Sequence, residues 1–262
     1  MIIVFSNFKG GVGKTSSTAL FSYILTELKG KKVLAVDTDQ QANLSKKLAR
    51  TFNKSLDEDK TIYHALFTDA DVKDTIQSLS ENLDLLSGSW LMSNFESLSN
   101  KLFKEQYHNQ IILQTLESVR EDYDYILIDT SPATDLIKDN SIVASDYVII
   151  TANTTRDVFD STQNFYNYLL DQYNSDDTHF ELLGVLAYLI GDNKTNVDIL
   201  NEYEEVFEED LFKHRIRRSA RVETWENTGI KHDDYNDERT MQMYNHVVDE
   251  AIKRIGVLEN EK

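Results

Sequence analysis

Near the start of the chain, Lys9-Gly10-Gly11-Val12-Gly13-Lys14-Thr15 lies between an apolar run (Ile2, Ile3, Val4, Phe5) and a stretch with helical periodicity (Leu20, Ile24, Leu25, Leu28). A glycine-rich turn joining a strand to a helix is the arrangement a polyphosphate requires, because its oxygens must meet backbone N–H groups at a range that larger side chains would block. The helix beginning near Lys14 adds the positive end of its dipole, and Lys14 adds a charge for the terminal phosphates. The Thr15 hydroxyl is placed to ligate Mg²⁺, and Ser16 in the same first turn joins the nucleotide-binding set.

The rest of the composition removes alternatives. A chain of 262 residues with no long low-complexity segment reads as a single α/β domain over 1–262. It has no cysteine, which excludes disulfides, thiolate metal sites and iron–sulfur clusters. No apolar stretch approaches the ~20 residues of a membrane span, and Met1 leads directly into a strand instead of a signal segment, so a cytoplasmic protein is expected. A formal net charge of −18 argues against a generally basic surface, so any contact with DNA must be local. His64, His108, His179, His214, His232 and His246 show no metal-ligand spacing.

Apolar strand candidates recur at Val33–Val36, Leu83–Leu86, Tyr125–Ile128, Tyr147–Ile150 and Leu182–Leu189, with helical stretches around Ile112–Val119 and Phe159–Leu170. Strands alternating with helices imply a mostly parallel twisted sheet with helices on both faces. Ligands in such sheets bind at the carboxyl ends of the strands, where the glycine loop, Asp37/Asp39 and Asp129 all fall. In the last helix Tyr244, Val247, Val248, Ala251, Ile252 and Ile255 form one apolar face. Its polar face mixes acids with bases, so packing on the sheet is favoured over a membrane surface, which rewards a basic excess.

Phosphoryl transfer to water needs a metal and a group that orients the attacking water. Asp129, closing an apolar strand before Thr130-Ser131-Pro132-Ala133, has the placement of an acid that holds Mg²⁺ through water; the pair Asp37 and Asp39 closes another strand.

The usual loop carries glycine where this chain has Phe8, and a second lysine, Lys9, precedes Gly10. In this the stretch resembles the deviant Walker A motif of the ParA/MinD superfamily of partitioning ATPases. The resemblance implies ATP and Mg²⁺ as ligands and a homodimer that sandwiches ATP, with Lys9 reaching across to the partner's nucleotide. Asp37-Thr38-Asp39-Gln40-Gln41-Ala42-Asn43 is similar to the family's Asp-x-Asp-Pro-Gln-x-Asn, making Asp39 the water-orienting residue and Asp37 a metal-shell or structural carboxylate; Gln40 replaces a proline, which questions the stiffness of this switch segment. Asp192-Asn193-Lys194-Thr195-Asn196 looks like the family's region near the base. Ile216-Arg217-Arg218-Ser219 resembles its Ile-Pro-Arg-Ser stretch, again without the proline. The likeness runs from Met1 to about Ile255 and is weakest over Thr51–Gln110. The loop lies too near Met1 for the N-terminal helix-turn-helix of larger relatives.

Lys213, Arg215, Arg217, Arg218 and Arg221 fall within an acid-free segment that follows Glu202, Glu204, Glu205, Glu208, Glu209 and Asp210. A solvated face balancing the acidic helix is one reading. By the resemblance, basic residues in this part bind DNA non-specifically once ATP has formed the dimer. The expectation is a ParA-like partition ATPase, nucleoid-associated and stimulated by a ParB-like centromere-binding partner, with no membrane partner. The alternatives are a MinD-like membrane-associated ATPase and a non-catalytic ATP-gated scaffold.

Overall fold

The computed structural model describes residues 1–133, 135–174, 178–188, 190–191 and 193–260. Its strands are β1 (Ile2–Ser6), β2 (Val33–Asp37), β3 (Gln77–Ser78), β4 (Leu83–Leu86), β5 (Tyr125–Asp129), β6 (Tyr147–Ala152) and β7 (Glu181–Ala187). Its helices up to the middle of the chain are α1 (Lys14–Tyr23), α2 (Asn43–Thr51), α3 (Ile62–Phe67), α4 (Val72–Thr75), α5 (Phe95–Leu102) and α6 (Ile111–Glu117). They continue with α7 (Leu136–Val143), α8 (Arg156–Tyr173), α9 (Lys194–Phe207), α10 (Ala220–Thr228) and α11 (Tyr235–Asn260).

The strands form one sheet in the order β3-β4-β2-β5-β1-β6-β7, parallel except for β3, which pairs antiparallel with β4 at the edge. Because successive side chains on a strand face opposite ways, the continuous apolar runs feed two cores at once. Ile2, Val4, Val36, Ile126, Ile128, Val148 and Ile150 pack under α3 and α5 to α9. Ile3, Phe5, Ala35, Leu127 and Ile149 pack under α1, α2, α10 and α11. The mostly parallel sheet with helices on both faces is therefore as the sequence indicates. The short antiparallel β3 falls in the Thr51–Gln110 stretch, where the family likeness is weakest.

Register decides what the sheet can carry. β1 lies between β5 and β6, with Phe5 opposite Asp129, and β5 lies beside β2, with Asp129 opposite Asp37. The chain crosses from β1 to one side of the sheet and returns to the other after β5, so the carboxyl end of β1 opens at the switch in strand order, where such folds bind ligands. The strand expected over Leu182–Leu189 is β7, and Leu189 lies outside the described residues.

α11 lays Tyr244, Val247, Val248, Ala251 and Ile255 against the sheet, all of them buried, so its apolar face is core. Among the described residues no helix is long and apolar enough to cross a membrane. α10 is fixed by Trp225, whose indole is buried and donates from Nε1 to Asp237 Oδ1 at 3.1 Å. Trp225→Ala should cost about 3–5 kcal/mol in urea unfolding, since it empties a core site and leaves a buried carboxylate short of a donor; a loss under about 1 kcal/mol would show that α10 is not integral to this core.

Candidate nucleotide site

β1 delivers the loop and α1 receives it. Gly11 and Gly13 adopt φ of 71° and 91°, conformations that glycine reaches without strain. A Cβ on Gly13 would lie 2.4 Å from the Tyr188 ring, so the residue is fixed by space as well as by torsion. Gly10, Gly11, Val12, Gly13, Lys14, Thr15 and Ser16 all line one cavity of about 870 Å³, which Asp39, Gln40, Gln41, Thr130, Ser131 and Pro132 also line.

Lys14 is 6% exposed and its Nζ donates to Lys9 O at 2.8 Å and Asn7 O at 3.4 Å. Burial pushes this ammonium down to about 8, against the opposing pull of Asp129 and Asp39. It is a cation held by carbonyls, for which phosphate oxygens are a stronger partner. Lys9 differs: it is exposed, and it is absent from the wall of the cavity beside it.

The two strand-end acids are fully buried. Asp129 accepts a hydrogen bond from Thr15 Oγ1 at 2.7 Å on Oδ2, while its Oδ1 is buried with no hydrogen-bond partner. Burial raises its carboxyl well above the usual range, and Asp37 adds to this. An oxygen without a partner, beside a hydroxyl at the mouth of a phosphate loop, fits a divalent cation. Mg²⁺ keeps waters and phosphate oxygens as ligands, so it needs few protein groups. Thr15 and Asp129 are the residues that would hold it. Asp37 is already engaged: Oδ2 accepts from Ser45 N at 2.8 Å and Ser45 Oγ at 2.7 Å, and Oδ1 accepts from Asp39 N at 3.1 Å. Burial still raises it to about 6. Of the two roles open to Asp37, the contacts favour the structural one.

Asp39 is partly exposed on the cavity wall, with Oδ1 accepting from Gln41 N at 2.9 Å. The proline missing at Gln40 is replaced by other constraints. Ala42 takes a left-handed φ of 50° and donates to Asp39 O at 2.9 Å, and Lys46 Nζ donates to Gln41 O at 2.7 Å. Gly88, just beyond β4, lies so close that a Cβ would stand 2.8 Å from Asp39 O.

Several supporting residues carry no sequence signal. Asn7 staples the loop to its neighbours, donating from Nδ2 to Thr151 O at 2.9 Å and Thr162 Oγ1 at 3.0 Å and accepting from Lys9 N at 3.1 Å. Ser16 donates to Glu226 Oε1 at 2.6 Å and accepts from the buried Lys47 at 2.9 Å, and Lys47 also pairs with Glu226. Lys138 on α7 is buried behind the loop.

Other expected site residues lie elsewhere. Asn193 caps α9, accepting from Asn196 N at 2.9 Å. Ile216 is core, and Arg217, whose N–H donates to Met243 Sδ at 3.2 Å, is exposed on a short bridge to Ile190. None of the three lines the cavity. Asp192 lies outside the described residues. In the basic segment Arg215 pairs with Glu204, and Arg221 pairs with Asp234 at 2.7 Å and Asp237 at 3.1 Å. Lys213 and Arg218 are exposed, Arg218 with a loose 3.4 Å pair to Glu223.

Asp129→Asn should leave the ligand-free protein as stable or more stable in thermal melting, since it removes a buried charge. It should also abolish the extra stabilisation by Mg²⁺ with nucleotide. Retention of that metal-dependent increment would show that Asp129 is not the metal-holding acid.

An AAA domain family model matches residues 1–180. The sporulation initiation inhibitor protein Soj of Bacillus subtilis (strain 168) is 30% identical over 224 residues, covering 84% of this chain and 85% of Soj. The virulence plasmid ParA family protein pGP5-D of Chlamydia psittaci is 26% identical over 222 residues, covering 84% and 82%. Among solved structures, the ATP complex of a Cyanothece McdA variant superposes with a TM-score of 0.83 at 20% identity, covering 96% of each chain. A putative plasmid partition protein of Borrelia burgdorferi B31 bound to AMPPNP gives 0.80 at 23% identity, covering 97% and 98%. With the phosphate loop, its added lysine and the strand-end acids assembled on this sheet, the chain belongs to the ParA/Soj family of P-loop ATPases, within the ParA/MinD superfamily.

Proposed function

We propose that this chain is a single-domain partition ATPase that binds ATP with Mg²⁺, pairs into an ATP-sandwich dimer, adheres to DNA without sequence preference and lets go after hydrolysis. The observation that carries this reading is the division of labour between two lysines five residues apart. Lys14 is buried at the cavity beside its own loop, while Lys9 is exposed and does not contribute to that cavity. An exposed cation beside the site but outside the cavity wall is suited to the phosphates of a second copy. The structures bound to ATP and AMPPNP, and a cobyrinic acid a,c-diamide synthase of Mycobacterium smegmatis with bound ADP and magnesium, support the choice of ligand.

Within the site, Gly10, Gly11 and Gly13 leave room for phosphate oxygens and Lys14 neutralises them. Mg²⁺ when bound would supply charge stabilisation of the transferring phosphoryl group. Asp39 is assigned to orient the attacking water; it lines the cavity, and its hydrogen bond from Gln41 N supports that reading. Turnover is slow until a ParB-like partner acts, since positioning is most of the chemistry and one element can be supplied late.

DNA contact is assigned to Lys213 and Arg218, exposed members of the basic segment. Arg215 and Arg221 are tied to acids and serve to hold the segment in place. The protein works in the cytoplasm, on the nucleoid. A membrane role is disfavoured because α11 has spent its apolar face on the core.

A DNA mobility assay with and without Mg-ATP across a salt series tests the whole reading. Retention should require ATP and fall with salt at a log–log slope of about −0.9 per phosphate neutralised. Retention indifferent to ATP would reject it. In sizing experiments Lys9→Ala should bind ATP yet stay monomeric, and a dimer equal to the unmodified protein's would remove Lys9 from the interface.

A further inference from the structure

The loop has a second buried lysine. Lys138, on α7, is 1% exposed, and its ammonium donates to Asn7 O at 3.0 Å and to Pro132 O at 3.3 Å. It lies 4.9 Å from the Phe8 ring centre and 5.6 Å from that of Phe165. Among the described residues no carboxylate comes within ion-pair distance of it. Asp135 and Asp139 favour its charge without pairing with it, and a buried cation whose direct contacts are carbonyl oxygens and ring faces still costs stability.

Its two carbonyl partners indicate what the charge does. Asn7 begins the phosphate loop, and Pro132 belongs to the loop that follows Asp129; Lys138 therefore ties together the segments that flank the cavity. Lys14 shares the Asn7 carbonyl at 3.4 Å and also holds Lys9 O. To serve phosphate, Lys14 must give up both, just when the loop has to keep its shape.

We propose that Lys138 is a positioning residue for nucleotide binding: it clamps the carbonyls of Asn7 and Pro132 so that the phosphate loop and the post-Asp129 loop keep their spacing when Lys14 transfers to the phosphates. Phe8 and Phe165 wall the ammonium off from water, which strengthens the clamp. Phe8, where the usual loop has glycine, thus acquires a role. This inference rests on the nucleotide-binding reading.

The test is isothermal titration of ATP and ADP into the full chain and its Lys138→Met and Lys138→Arg variants, with thermal melting of each ligand-free protein. Lys138→Met should melt no lower than the unmodified chain, yet bind both nucleotides about tenfold or more weakly, the loss expected for charge-assisted hydrogen bonds. At saturating ATP, kcat should change less than KM. Lys138→Arg, which keeps the charge and donors, should recover part of the affinity. Unchanged affinity in a folded Lys138→Met protein overturns the clamp. A drop in melting temperature that tracks the affinity loss, with no recovery by arginine, also overturns it and assigns Lys138 to general packing. If the unmodified chain binds no nucleotide, the functional reading fails instead.

Discussion

The parallel register of β2, β5 and β1 is the constraint on which the rest depends. It sets Asp37, Asp129 and Phe5 side by side at the carboxyl end of the sheet, with the glycine loop following β1. Two carboxylates, fully buried and in register, both hold protons more tightly through burial, Asp129 further through the charge of Asp37, and would be poor neighbours in a protein built for stability alone. The fold offsets one of them with Ser45 and leaves the other with an unpartnered oxygen. The two acids thus differ in their partners, although both terminate apolar strands of equal length.

The cations show the same unfinished compensation. Lys14 and Lys138 meet at one main-chain carbonyl, and burial pushes the Lys138 ammonium down to about 7, with the Lys14 charge adding to the effect. The carbonyl partners of Lys14 and the hydroxyl partner of Asp129 are stand-ins that a metal–polyphosphate complex would improve on, whereas Lys138 keeps its carbonyls. Sites that carry such strain are expected to be stabilised by their ligand.

Around this centre the helices differ in how tightly they are bound to the site. α2 and α10 connect to it through Lys47, Glu226 and Ser16, and Arg50 adds a bond to Glu226 O at 2.9 Å. α10 begins at the basic segment, so the residues assigned to DNA and the first turn of α1 share one hydrogen-bonded connection. The switch segment between β2 and α2 is clamped by Gly88 instead of by a proline, an exchange of local stiffness for tertiary contact.

Seven residues of loop, two strand-end acids and the alternation of apolar runs were enough to specify from sequence the parallel sheet, the phosphate site and the family, because glycine, lysine and threonine at that spacing have one chemical use between a strand and a helix. Sequence also placed α11, whose spacing of apolar residues admits a buried face. It did not reveal Asn7, Glu226, Lys47 or Lys138, since an ordinary polar residue acquires such a role only from neighbours remote along the chain. Nor could it show that Ser45 engages Asp37 while an oxygen of Asp129 has no partner, or that Arg215 and Arg221 pair with acids. Those outcomes depend on which carboxylate or hydroxyl lies opposite each group, and only the packing of helices on the finished sheet brings those partners within hydrogen-bonding distance.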